Sequence, residues 1–151
     1  MTNKPKTNLS NNKIKLFLVD DDAIYLKLME IEFLQHGDFD IETYPTGEQC
    51  LENLSHKPDV IILDYYLDGV DANAMNGIES LDKIKAENPN IPVVMLSSQD
   101  KIDIAISCMH HGAYDYVVKS ETAFVRLQKI ITAIFEFKKI EKQLNWYMDR
   151  M

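Results

Sequence analysis

The chain has 151 residues, of which 46% are apolar and 26% are charged, and this composition is typical of one globular domain with a buried core. Its longest apolar runs are far shorter than a membrane span. It begins without the apolar segment of a secretory signal, and its two cysteines are too few for a disulfide scaffold. We therefore expect a cytoplasmic protein with no membrane association. The net charge of −8 is concentrated in residues 14–121, and such an acidic body repels nucleic acid phosphates but attracts small cations.

The order of apolar and polar residues predicts five strand–helix units. Residues 1–13 are polar and are expected to form a disordered tail. The predicted strands are residues 14–19, 39–43, 60–63, 93–96 and 114–118. The predicted helices are residues 23–35, 47–54, 78–86, 102–111 and about 122–148. Thr46 and Gln49 form a capping box before the second helix, while Gly37 and Gly112 stand where the first and fourth helices should end.

The third predicted strand is apolar at all of its positions, residues 60–63. This pattern indicates a strand that helices cover on both faces, as in a parallel, doubly wound sheet. Ligands of such sheets bind beyond the carboxyl ends of the strands. The residues that directly follow each apolar run are therefore the first candidates for function.

Polar side chains follow four of the five predicted strands, so the sheet would bring them to one edge. They are Asp20, Asp21 and Asp22 after the first strand, Asp64 after the third, Ser97 and Ser98 after the fourth, and Lys119 after the fifth. Each alone is explained as a helix cap or a solvated residue, and we expect Asp22 to be a cap. Clustered carboxylates raise one another's pKa unless a cation compensates them. Oxygen ligands suit Mg²⁺, with Mn²⁺ as a substitute, and a carboxylate beside a metal, a hydroxyl and an ammonium is suited to accept a phosphoryl group.

Five segments, taken in order, resemble the receiver domain of two-component response regulators. They are FLVDDD (17–22), DVIILDYYL (59–67), NG (76–77), IPVVMLSS (91–98) and GAYDYVVKS (112–120). The resemblance runs from residue 14 to about residue 134. It implies an α/β, flavodoxin-like fold whose five parallel strands take the order 2-1-3-4-5. It also implies a phosphoacceptor module that takes a phosphoryl group from the phosphohistidine of a histidine kinase or phosphotransfer protein and then switches its protein–protein interactions.

The resemblance also implies which residues bind the metal ion and accept the phosphoryl group. Asp64 is the expected phosphoacceptor and a metal ligand. Asp21 is expected to bind Mg²⁺ directly and Asp20 through water. The backbone carbonyl of Tyr66 would complete the protein ligands.

The remaining family roles fall on residues of the last two strands. Lys119 is expected to hold the phosphate, and Ser97 to be the hydroxyl that turns toward it. Tyr116 takes the place of the aromatic switch residue, although a tyrosine on a strand is by default a packing residue. The family's usual Lys-Pro is Lys119-Ser120 here, and we expect a trans peptide bond because a non-proline cis bond costs about 2.5–4 kcal/mol.

The loop after Asp64 departs from the family pattern. Asp68 stands where receivers usually have a proline, and Asn76-Gly77 arrives about five residues late, which indicates an insertion at the rim of the site. Tyr66 is large enough to overhang the phosphoryl group and exclude the water that would hydrolyse it.

The segment after Lys119 is 32 residues long, enough for a last helix but too short for a DNA-binding output domain, so we expect no direct DNA binding. Apolar spacing predicts one long helix at the end of the chain. We therefore divide the chain into a receiver domain at 14–136, which includes the first part of this helix, and a helical extension at 137–151. Phe137, Ile140, Leu144 and Tyr147, here called the C-terminal apolar stripe, would be exposed on a monomer. Either the extension frays, or the stripe binds a second copy or another partner.

Two other functions compete with a phosphorylated switch. A phosphatase of the haloacid dehalogenase type also uses an aspartate after a parallel strand, but it requires a second aspartate two residues later, where this chain has Tyr66. A degenerate receiver would act through constitutive contacts alone, which the intact Asp20, Asp21, Asp64 and Lys119 argue against. We expect no enzymatic activity beyond the chain's own phosphorylation and dephosphorylation.

Overall fold

The computed structural model describes residues 13–151, so the predicted tail at 1–13 lies outside the described residues except for Lys13. The strands are β1 Ile14–Val19, β2 Phe39–Tyr44, β3 Val60–Asp64, β4 Val93–Ser97 and β5 Asp115–Val118. The helices are α1 Ala23–His36, α2 Gly47–Glu52, α3 Gly77–Glu87, α4 Ile102–His110 and α5 Ala123–Asp149. A single 3₁₀ turn, Leu54–His56, follows α2.

The strands form one parallel sheet in the order β2-β1-β3-β4-β5, which confirms the predicted fold class. The winding of the chain reverses between β1 and β3, which are neighbours in the sheet with Val19 opposite Leu63. The crevice outside the carboxyl ends of these two strands is where sheets of this kind bind ligands.

The core lies on both faces of the sheet, as the apolar third strand predicts. All five residues of β3 are buried. Ile61 and Leu63 belong to the core on one face, whereas Val60 and Ile62 belong to the core on the other. Both cysteines, Cys50 and Cys108, are buried and unpaired.

Several helix ends follow the predicted capping residues. Thr46 Oγ1 accepts a hydrogen bond from Gln49 N at 3.1 Å, and Gly112, after the end of α4, has a φ of +96° that few other residues adopt. Gly37 ends α1 in an extended conformation with φ −177°, and a Cβ there would lie 2.5 Å from the Phe39 ring. The predicted second helix is confirmed as α2, but it ends at Glu52, two residues before the predicted end at Leu54, and a separate 3₁₀ turn follows.

The last helix, α5, is continuous from Ala123 to Asp149, so the predicted single long helix is confirmed. Its first half is anchored on the sheet by Leu127, Ile131 and Ile134, which are buried. Beyond Phe135 the large apolar residues are exposed, and the extension is fixed to the domain by Lys138 Nζ, which donates to the Asp59 carbonyl at 3.0 Å. No helix among residues 13–151 has the length and apolar content that crossing a membrane requires.

Candidate functional site

Three carboxylates meet at the carboxyl ends of β1 and β3. Asp64 is the last residue of β3 and Asp20 directly follows β1; each is only 4% exposed, while Asp21 is half-buried. One oxygen from each of the three carboxylates lies within 4.8 Å of the others. The structure therefore brings together Asp20, Asp21 and Asp64, the three acids predicted from their positions at the ends of strands. Asp22 points elsewhere and caps α1, accepting from Ile24 N and Tyr25 N, as expected.

Lys119 enters this cluster from the end of β5. Its backbone N–H donates to the Ser97 carbonyl at 2.7 Å, which fixes the residue beside β4. Its Nζ donates to Asp20 Oδ2 at 2.8 Å and lies 3.6 Å from Asp64 Oδ1. The same ammonium lies 4.4 Å from the centroid of the Tyr25 ring, an attractive contact that the sequence did not predict. The described residues contain no cis peptide bond, so the expected trans Lys119-Ser120 bond is confirmed.

The charges of the cluster do not balance. Burial raises the pKa of Asp64, the nearby Asp20 carboxylate raises it further, and the attraction of Lys119 lowers it only in part. Burial lowers the pKa of Lys119, but the hydrogen bond that Lys119 donates to Asp20 and the charge of Asp64 outweigh this effect, so its pKa is raised. The ammonium is therefore fully charged at neutral pH, and one cation faces three carboxylates.

The donor set fits a hard divalent cation such as Mg²⁺, because it offers convergent carboxylate oxygens and because the single Lys119 ammonium does not balance three acids. Asp20, Asp21 and Asp64 are the side chains that would hold it. Tyr66 N donates to Asp64 Oδ1 at 3.3 Å, which orients the acceptor carboxylate. Ligation by the Tyr66 carbonyl stays a prediction.

The inserted loop contacts the site directly. Gly69 N and Val70 N donate to Asp21 Oδ2 at 3.1 and 3.2 Å. These two hydrogen bonds hold one oxygen of the Asp21 carboxylate against the loop. Sequence reasoning placed the insertion at the rim of the site but missed these contacts; the glycine at position 69 is the feature that could have suggested a close backbone approach.

The start of α3 also lies close to the acceptor. Asn76 forms a full capping box with Glu79, and Gly77 N donates to the Tyr65 carbonyl at 3.0 Å. A Cβ at position 77 would lie 2.6 Å from the carbonyl oxygens of both Asp64 and Tyr65. Glycine is therefore required here, because any side chain would push the acceptor's backbone away from the helix.

Ser97 and Tyr116, the expected switch residues, lie beside the cluster on β4 and β5. Ser97 is fully buried, and its Oγ accepts from Gln99 N at 3.1 Å, whereas Ser98 is exposed. Tyr116 is 9% exposed, and its hydroxyl donates to the Gln99 carbonyl at 2.5 Å. Both side chains are thus tied to the loop that follows β4.

The model of the response regulator receiver domain family matches residues 16–132, which include every residue of the cluster. The chain belongs to this family. The alternative function, a phosphatase of the haloacid dehalogenase type, has no support. The family match is to receiver domains, and the residue two positions after Asp64 is Tyr66 where that phosphatase requires an aspartate.

Curated relatives agree with this assignment. The receiver is 38% identical over 114 residues to protein-glutamate methylesterase/protein-glutamine glutaminase 2 of Rhodopseudomonas palustris (strain BisB18), covering 74% of this chain and 30% of that protein. It is 31% identical over 103 residues to the regulatory protein LuxO of Vibrio vulnificus (strain YJ016), covering 68% of this chain and 21% of LuxO. The chain thus spans less than a third of these relatives.

Solved structures share the fold. NtrX from Brucella abortus superposes with a TM-score of 0.74 at 27% identity, over 87% of this chain and 29% of the NtrX chain. A CheY-like receiver domain protein from Methanospirillum hungatei JF-1 superposes with a TM-score of 0.72 over 85% of this chain and 98% of its own; at 21% identity, this likeness shows the fold alone.

Proposed function

We propose that this receiver accepts a phosphoryl group on Asp64 from the phosphohistidine of a histidine kinase or a phosphotransfer protein. The observation that supports the proposal is the position of Lys119 Nζ, 3.6 Å from Asp64 Oδ1 and in a 2.8 Å ion pair with Asp20. A buried carboxylate beside a fixed ammonium and two further acids is suited to bind a metal ion and a phosphate together.

In the proposed step, an Asp64 carboxylate oxygen attacks phosphorus while the bond from phosphorus to the donor's imidazole nitrogen breaks. The imidazole leaves with the bonding electron pair and is neutralised by a proton, and an aspartyl phosphate remains. Lys119 neutralises negative charge on the phosphoryl oxygens while the phosphoryl group is transferred, and the Tyr66 amide keeps the Asp64 carboxylate oriented. Mg²⁺, held by Asp20, Asp21, Asp64 and the Tyr66 carbonyl, would supply the remaining positive charge.

The proposed response begins at Ser97 and Tyr116. Ser97 would turn its hydroxyl toward a phosphoryl oxygen, which requires it to release the Gln99 amide. Because the Tyr116 hydroxyl donates to the Gln99 carbonyl, a shift of this loop would also move the aromatic ring. The changed surface would bind or release a partner. We assign this role to residues 14–136, with residues 137–151 as an interaction segment, and propose no catalysis beyond the receiver's own phosphorylation and dephosphorylation.

The test is intact mass after incubation with acetyl phosphate and Mg²⁺. We expect the mass of one added phosphoryl group for the wild type and none for Asp64→Asn, because an amide cannot act as the nucleophile. Asp68→Asn is the matched control, since Asp68 is an exposed acid in the adjacent loop, and it should be labelled like the wild type. Equal labelling of Asp64→Asn would refute the assignment, and sustained turnover of p-nitrophenyl phosphate would favour a phosphatase.

A further inference from the structure

The C-terminal apolar stripe forms a continuous face on the extension of α5 that none of residues 13–151 covers. Phe137, Ile140, Leu144 and Tyr147 are 64%, 60%, 56% and 63% exposed. Their spacing of three, four and three residues, continued by Met151 four residues later, is that of the a and d positions of a coiled coil. Such a seam is covered by another helix.

A cavity adjoins the stripe where α5 leaves the sheet. It has a volume of about 770 Å³ and lies at the amino ends of β3, β4 and β5; its lining includes Pro58, Ile91, Tyr114, Ile134, Phe137 and Glu141. Phe137 belongs to both the stripe and the cavity. A helix that lies along the stripe toward the sheet would therefore end in this cavity and bury apolar surface there.

We propose that a second copy of this chain covers the stripe, with the two extensions antiparallel. One alignment places all four stripe residues in contact: Phe137 opposite Tyr147 of the second copy, and Ile140 opposite its Leu144, each pair occurring twice. In this alignment the last turn of each α5, residues 146–149, lies beside residues 135–138 of the other copy, next to the cavity that Phe137 lines. The inference is independent of phosphorylation and goes beyond the proposed function.

Charges beside the seam favour a second copy in this direction. With Phe137 at position a, Glu136 and Arg150 occupy g positions and Glu141 an e position. An antiparallel pair places Glu136 opposite Arg150 of the other copy, twice in each dimer, whereas a parallel pair places Glu136 opposite Glu141, also twice. The antiparallel pair also places Glu141 of one copy opposite Glu141 of the other. This one repulsive contact is outweighed by the two attractive contacts between Glu136 and Arg150.

The Arg150 side chain is already held for this contact. Its guanidinium lies 3.9 Å from the centroid of the Trp146 ring, and the Trp146 ring packs edge-on against Tyr147. These contacts limit the conformations of the guanidinium, so less entropy is lost when it meets a carboxylate.

Sedimentation equilibrium of the full chain over a range of concentrations tests the proposal. We expect a reversible dimer with a dissociation constant on the order of 10–100 µM. Leu144→Glu should raise this constant at least tenfold, because it places a carboxylate in the seam. Asn145→Glu adds the same charge on the neighbouring exposed position outside the seam and should change it by less than about twofold. Circular dichroism and acetyl phosphate labelling of each variant report that the domain is folded.

Charge exchange then tests the direction of the helices. Glu136→Arg should weaken the antiparallel dimer about threefold or more, because two arginines then face each other. The double variant Glu136→Arg with Arg150→Glu should restore it. Tighter association of Glu136→Arg would indicate a parallel pair and overturn the proposed arrangement. A wild type that remains monomeric at about 1 mM, or a dimer unaffected by Leu144→Glu, would overturn the second copy as the occupant of the stripe, whatever else binds there.

Discussion

Replacing the acceptor by its amide should stabilise the metal-free protein. Burial and the charge of Asp20 raise the pKa of Asp64 from 3.8 to about 7, so the stability that this group contributes is fully present below pH 4 and is lost as the pH rises through 7. This difference in pKa corresponds to ~4 kcal/mol above pH 7. Asparagine cannot reproduce every contact of the protonated carboxyl, so we expect Asp64→Asn to increase the free energy of unfolding by ~2 kcal/mol at pH 8.

Urea denaturation in EDTA, at pH 8 and at pH 4, measures this effect. At pH 4 the folded wild type carries a protonated Asp64, so this gain should be lost and the variant should become less stable than the wild type by up to ~2 kcal/mol, which is the cost of the contacts that asparagine does not make. Saturating Mg²⁺ at pH 8 should reduce or reverse the difference, because binding stabilises the wild type more than the variant. Asp68→Asn serves as the control and should change stability little at either pH. A variant less stable than the wild type at pH 8 in EDTA would refute the view that Asp64 is an electrostatically strained carboxylate.

Four further predictions concern the metal site, the phosphorylated state, the start of α3 and the inserted loop. Asp21→Ala should weaken Mg²⁺ binding more than Asp20→Ala, since a direct ligand is lost rather than a water-mediated one; calorimetric titration decides, and the reverse order would mean that the two roles are exchanged. Tyr66→Asn should release phosphate faster than the wild type in a time course, because a smaller side chain admits water; equal or slower release would show that Tyr66 does not shield the site. Gly77→Ala should lower the free energy of unfolding by ~1–3 kcal/mol, because its Cβ meets two backbone carbonyl oxygens; unchanged thermal unfolding would contradict this. Val70→Pro removes one of the two amide donors to Asp21 and should weaken Mg²⁺ binding roughly tenfold, whereas Val70→Ala keeps the donor and should not.

The positions of the acidic cluster could be predicted from sequence because they depend on local patterns. The apolar run before Asp64 specifies a buried parallel strand, and the sheet then places its end beside that of β1. Lys119 follows from the same rule. These residues were found without knowledge of any side-chain contact.

Other contacts could not be predicted, since they depend on conformations that no periodicity describes. The loop from β3 to α3 folds so that Val70 N reaches Asp21, and Gly69 indicates a close backbone approach but does not specify that path. Tyr25 lies under Lys119 because of where α1 crosses the sheet. The second helix ends at Glu52, two residues earlier than predicted, and Lys57, with a φ of 58°, ends the turn that follows in a left-handed conformation that is uncommon for lysine.

The continuity of α5 gives the molecule a mechanical property. The helix begins four residues after Lys119 and runs for 27 residues without interruption, which is a rod of ~40 Å at 1.5 Å per residue. A tilt of ~5° about its first turn would move Ile134, the last buried residue of the helix, by ~1–2 Å and the far end by ~3–4 Å. A small change in the tilt of α5 beside the acidic cluster would therefore produce a larger displacement of the last turns of the helix, because displacement grows with distance along it.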